Sequence, residues 1–163
     1  MRVLSALTLL SRDHSANQIA IAKAGGIPPL ITWLGSGSEE AQKEAAGALL
    51  AMAEDNITTQ VQIAKSGGIP PLIDLVNRSS LETQEHAARA LWHLASGSEN
   101  QLAIAEAGGI KPLVGMLSAE GKSAPELAAV TIVRLAQGNP SVSSNIGACA
   151  CLRTSCPCTS GVV

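Results

Sequence analysis

Four cysteines, at positions 149, 151, 156 and 158, are the residues of this chain best equipped for chemistry. As thiolates they would supply four sulfur ligands to zinc. Their spacing works against it. One residue separates the members of each pair, whereas zinc-binding pairs usually hold about two to four. His86 and His93 come next. Seven residues of helix, at about 1.5 Å per residue, hold them roughly 10 Å apart, too far to share one ion. No nucleophile, base and orienting third group fall together on the pattern. The Gly-Gly pairs lack the spacing of a phosphate loop or dinucleotide fingerprint. What remains is recognition. Arg89, Trp92, His93 and Arg134 offer charge, planar hydrogen bonding and stacking. A non-enzymatic chain without cofactor or metal is expected.

Helices must hold those four side chains, and the chain repeats the instructions for them. Ala24-Gly25-Gly26-Ile27-Pro28-Pro29-Leu30-Ile31 returns as Ser66-Gly67-Gly68-Ile69-Pro70-Pro71-Leu72-Ile73. It returns again as Ala107-Gly108-Gly109-Ile110-Lys111-Pro112-Leu113-Val114. The first glycine recurs at 25, 67 and 108, intervals of 42 and 41 residues. Periods of about 40–47 residues mark stacked helical units. Such stacks bury their core between neighbours and leave long surfaces for partners.

Residues 56–95 illustrate one unit. Thr58–Lys65 reads as a short first helix, stopped where Gly67 or Gly68 takes left-handed backbone. Gly68→Val is expected to be harmful for that reason. Ile69-Pro70-Pro71 opens a second helix, because proline is tolerated in a first turn. Ser79 and Glu82 have the spacing of a capping box for a third helix. That helix carries Ala87, Ala88, Leu91, Leu94 and Ala95 on one face. Ala45, Ala46, Leu49, Met52 and Ala53 stand at the same offsets, as do Ala128, Ala129, Ile132, Leu135 and Ala136. The alanine pairs mark where third helices come closest. By the same alignment Trp33 matches Leu75 and Met116 and is expected in the core. Trp92 matches Leu50 and Val133, beside the exposed face of its helix.

Of 163 residues, 46% are hydrophobic but only 1% aromatic, so Ala, Leu, Ile and Val must fill the core. Small side chains suit closely packed helices. A net charge of −2 supplies no basic excess for nucleic acid. Met1–Leu10 has the look of a signal peptide, but Leu7 and Leu10 continue the pattern of Leu49/Met52 and Leu91/Leu94. No apolar run reaches membrane-spanning length. Repeats free of cysteine point to a reducing, cytoplasmic setting. Nuclear or vacuole-membrane association in a longer chain is the alternative.

Short helix, Gly-Gly turn, Pro-started helix and long Ala-rich helix together resemble the armadillo repeat over about residues 1–140. HEAT repeats of similar length lack the Gly-Gly-Ile-Pro punctuation. The resemblance implies an all-α solenoid, a right-handed superhelix of three-helix repeats. It divides the chain into a partial repeat over 1–24, repeats over 25–66 and 67–107, and a partial repeat over 108–146. A Cys-rich, disordered tail over 147–163 is expected to follow. Gly-Gly-Ile-Pro-Pro-Leu and Thr83-Gln84-Glu85-His86-Ala87 are similar to plant and protist armadillo proteins. Vacuole-associated armadillo proteins and the armadillo regions of U-box ubiquitin ligases are among them. Val3, Leu4 and Leu7 are expected to open onto solvent, as in a fragment of a longer solenoid, and the isolated chain to self-associate.

Armadillo third helices line a concave groove that binds extended peptides. Importin-α resembles this chain in its Ala-rich third helices and places Trp and Asn at two fixed positions there. Those positions fall here on Ser5, Gly47, Arg89 and Val130, and on Leu9, Ala51, His93 and Arg134. Neither ladder is present, which argues against basic nuclear-import signals. The resemblance thus implies a protein–protein interaction scaffold. Its expected partner is an acidic or phosphorylated peptide held over Arg89, Trp92, His93 and Arg134. Binding should weaken with salt and strengthen below about pH 6.5 through His93. Two other readings stand beside it. One is the substrate-recruiting region of a larger enzyme such as a U-box ligase. The other is a structural segment whose charges are solvated or paired, some with Glu85.

Overall fold

A computed structural model describes residues 2–119 and 123–137 of the chain. Among the described residues there are ten helices and no strand: α1 Arg2–Ser11, α2 Ser15–Lys23, α3 Ile27–Ser36, α4 Glu39–Ala53, α5 Ile57–Lys65, α6 Ile69–Arg78, α7 Leu81–Leu94, α8 Ser98–Glu106, α9 Ile110–Met116 and α10 Ser123–Ala136. α1 is a third helix, and three full triplets follow it. The Cys-rich tail, the segment 138–146 and the side chain of Val3 lie outside the described residues.

Each triplet is cut by the same turn. After α5, Gly67 takes φ +79°. Its N–H donates to the Ala64 carbonyl at 3.0 Å, and the Gly68 N–H donates to the Ile63 carbonyl at 3.0 Å. These bonds satisfy carbonyls that a helix end leaves over. Gly25 and Gly108 repeat the conformation. Gly68 itself is right-handed, so the left-handed position is Gly67 alone. Gly68 needs its hydrogen for another reason: a Cβ there would lie 2.7 Å from Ile63 Cγ2. Pro70 and Pro71 then sit in the first turn of α6, where their missing N–H groups cost nothing.

The expected capping box of Ser79 and Glu82 is displaced by one residue. Ser80 is the extended N-cap of α7, and its hydroxyl meets Thr83 Oγ1 at 3.1 Å. Ser79 ends α6 instead. Glu82 falls in the first turn and reaches across to Lys43 of α4, at 3.5 Å.

Third helices stack in the row α1, α4, α7, α10, and second helices in the row α3, α6, α9. The alanine pairs are the contact: Ala45, Ala46, Ala87, Ala88 and Ala128 are fully buried. Ala129 is exposed, since no third helix follows α10 among the described residues. The same logic corrects Trp33. Its counterparts Leu75 and Met116 are buried, but Trp33 is 47% exposed. α6 and α9 each have a second helix packed before them, whereas none precedes α3 among the described residues. Leu4 is buried and Leu7 packs on the core, against expectation. Leu9 and Leu10 are the α1 leucines that meet solvent, at 70% and 55% exposure.

A polar ladder runs through this core. Gln18, Gln60 and Gln101 are buried on successive first helices. Each side-chain amide donates to the preceding third helix: Ser11 O at 3.1 Å, Ala53 O at 2.8 Å and Ala95 O at 3.0 Å. Asn17, Thr59 and Asn100 stand beside them and donate to the carbonyls of Leu10, Met52 and Leu94. Gln18 also reaches Ala51 O at 2.8 Å, and Gln101 reaches Arg134 O at 3.1 Å. Buried amides of this kind are stable only because the carbonyls at helix C-termini need donors.

Candidate peptide-binding groove

One face of each third helix turns toward a shared concavity of about 840 Å³, lined from α1, α4, α7 and α10. Residues three and four apart on a helix share a face, so each helix contributes a short row. Leu9, Leu50, Ala51, Trp92, Leu127 and Val130 make the apolar part of the lining. Arg12, Asp13, Lys43, Glu44, Glu54 and Arg89 bring charge of both signs.

Several of these charges are already engaged. Lys43 sits 3.8 Å from Glu40 and 3.5 Å from Glu82. Glu44 accepts from Ser5 Oγ at 2.6 Å. Arg89 makes no ion pair among the described residues, so the expected pairing with Glu85 does not form. Arg89 is exposed and free to meet a ligand.

Three of the four expected contact residues come together. Arg89, Trp92 and His93 all line the groove. Trp92 and His93 are half-buried and meet edge to face, ring centroids 4.7 Å apart. Arg134 is placed differently. Its guanidinium lies 3.9 Å from the centroid of the Trp92 ring, and Nη1 donates to the Trp92 carbonyl at 3.1 Å and to Ser96 Oγ at 3.3 Å. It supports the tryptophan and does not line the groove.

His93 is held below its ordinary pKa of 6.5. Burial is the main cause, because it penalises the charged ring, and the Arg134 cation acts in the same direction. Glu54 and Asp55 from the end of α4 oppose both. Sequence reasoning placed Gly47 in the groove but missed these carboxylates, along with His86 in the groove wall. The glutamine ladder was missed as well, although its period of 42 and 41 residues was open to inspection.

Among the described residues no cluster of three or more His, Cys, Asp or Glu could hold a metal ion, and Cys149, Cys151, Cys156 and Cys158 lie outside them. No helix of the described residues is long and apolar enough to cross a membrane.

The armadillo/β-catenin-like repeat model matches residues 14–50 and 59–96. No curated protein sequence matches the chain. Among solved structures, an engineered protein is 31% identical with a TM-score of 0.87, over 91% of this chain and 61% of its own. A designed armadillo repeat protein, solved in complex with the peptide (KR)4, is 27% identical with a TM-score of 0.85, over 91% of this chain and 63% of its own. The armadillo-repeats-only protein of Plasmodium falciparum is 18% identical with a TM-score of 0.79, over 88% of this chain and 65% of its own, and shows the fold alone. The chain thus spans less than two thirds of each of these structures. Two repeat-model matches on an all-α solenoid shared with designed armadillo repeat proteins make this chain a member of the armadillo-repeat family.

Proposed function

We propose that the chain is a protein-binding scaffold that holds an extended acidic peptide across its third helices. The observation that carries this reading is the unpaired Arg89 in an open groove, beside Trp92 and His93. A designed armadillo repeat protein solved in complex with the peptide (KR)4 supports peptide binding as the mode. That peptide is basic, so the acidic preference rests on this chain's own residues. Arg89 would pair with a ligand carboxylate or phosphate, Trp92 would pack on the adjoining side chain, and Arg134 would hold the indole in place. Affinity is modest, since among the described residues only Arg89 and Arg12 line the groove as arginines without an ion pair. Screening an acidic peptide library against wild type and Arg89→Glu tests it. Loss of binding in the variant is expected. Equal binding by both, or selection of basic peptides, overturns it.

A second reading, self-association, has its own observation. Leu9, Leu10, Val130 and Val133 are exposed at 70%, 55%, 49% and 57% on α1 and α10. Apolar side chains on the outermost third helices favour contact between copies. Light scattering across a concentration series should show assembly that Leu10→Glu and Val133→Glu reduce. A monomer at every concentration removes this reading.

A further inference from the structure

Gly47 stands in the middle of α4, the longest helix among the described residues, where glycine is a poor choice on helix propensity. The fold supplies no reason for it. Its backbone is not left-handed. A methyl group there would meet nothing closer than His86 Nδ1 at 3.7 Å, an ordinary contact. The equivalent positions in the other third helices are Ser5, Arg89 and Val130, so the stack accepts side chains of several sizes. Gly35 and Gly115 also face open space, but each is the last residue but one of its helix. Gly26, Gly68 and Gly109 are the opposite case, for a Cβ at each would come within 2.8 Å of an isoleucine.

The missing side chain acts on the groove. It leaves room over the half-buried Leu50 and the buried Ala51, with the His86 imidazole beside it. His86 Nδ1 is buried without a hydrogen-bond partner in the protein, so this wall is not held by the fold's own polar contacts. An apolar floor and a ring wall suit an aromatic side chain. A side chain seated there would fix which ligand residue lies over Arg89 on the next helix.

We propose that Gly47, Leu50, Ala51 and His86 form a receptor hollow for one aromatic side chain of the bound peptide, which sets its register. The inference rests on the peptide-groove reading and deepens it. The test uses two labelled acidic peptides identical except for a central Trp or Ala, titrated against wild type and Gly47→Ala by fluorescence anisotropy. Wild type should prefer the Trp peptide by about tenfold, from the apolar area buried. Gly47→Ala should cut that preference to about threefold or less. Its melting temperature should rise by about 2–4 °C, since the added methyl favours the helix and meets no clash. Wild-type binding without any Trp preference overturns the hollow and leaves the groove reading standing. So does a preference that Gly47→Ala retains, or a fall in its melting temperature, which would make the glycine structural. Failure of both peptides to bind wild type removes both readings.

Discussion

The Arg134 guanidinium lies 3.9 Å from the centre of the Trp92 ring and donates to the carbonyl of that same residue at 3.1 Å. A single side chain of α10 thereby grips both the indole and the backbone of α7. The two residues are equivalent neither in position nor in role, although sequence alignment puts both beside the groove. Trp92 lines the concavity, and Arg134 is its brace.

Arg134→Ala should lower stability by about 1–2 kcal/mol, the sum of a cation–π contact and a hydrogen bond near a helix end. Arg134→Lys should recover less than half of it, because an ammonium is a compact charge and cannot span ring and carbonyl with a planar fork. Urea unfolding measures both. Full recovery by lysine would reduce the brace to simple charge.

The glycine pair after α5 separates two mechanisms. Gly67→Ala places a Cβ on left-handed backbone with nothing within 4 Å, so strain alone should cost about 1 kcal/mol. Gly68→Val drives side chain into Ile63 at 2.7 Å and should cost about 1–3 kcal/mol more. Thermal melts should rank Gly67→Ala above Gly68→Val. The reverse order would mean that backbone conformation outweighs packing at this turn.

Gln101→Ala removes the donor from two carbonyls, Ala95 O and Arg134 O. Buried acceptors left without partners should cost about 2–3 kcal/mol in total. The exposed Gln137→Ala should change stability by less than about 0.5 kcal/mol. Equal effects in denaturant titrations would mean that water replaces the lost donor.

His93 gives a pH dependence of known sign. Burial and Arg134 hold its folded pKa below 6.5, so the unfolded chain binds its proton more readily. Its contribution to stability is complete above pH 6.5 and is lost as pH falls through the folded value. His93→Gln should flatten that part of the profile. The gain in acidic-peptide binding from a charged His93 should likewise begin below pH 6.5, with Glu54 and Asp55 opposing the peptide's own charge. A gain centred above pH 6.5 would contradict the burial of the ring.

Repeat period, helix order and the alanine contacts were all legible, because each is written several times over. Three copies of Gly-Gly-Ile outvote the noise at any single position. Trp33 was misread because alignment equates positions and ignores neighbours. Its counterparts Leu75 and Met116 lie under a preceding second helix, and Trp33 has none among the described residues. Spacing favours Ser79 over Ser80, because it alone has a glutamate, Glu82, three residues on, yet Ser80 caps α7. The helical intervals of Arg89, Trp92 and His93 put them on one face, and all three line the same concavity. Arg134 was not, because its direction depends on where the indole of another helix lies.

The glutamine ladder has a mechanical meaning. Gln18 straps the ends of α1 and α4 together, and Gln101 straps those of α7 and α10. Gln60 holds Ala53 of α4, and no hydrogen bond among the described residues carries the strap on to the end of α7. On that edge the groove is therefore two clamped halves joined by apolar contact and, at the opposite edge, by Lys43 and Glu82. The α4–α7 joint is the most closely packed of the third-helix row, so its buried alanine contacts do there what the glutamines do at the two outer joints.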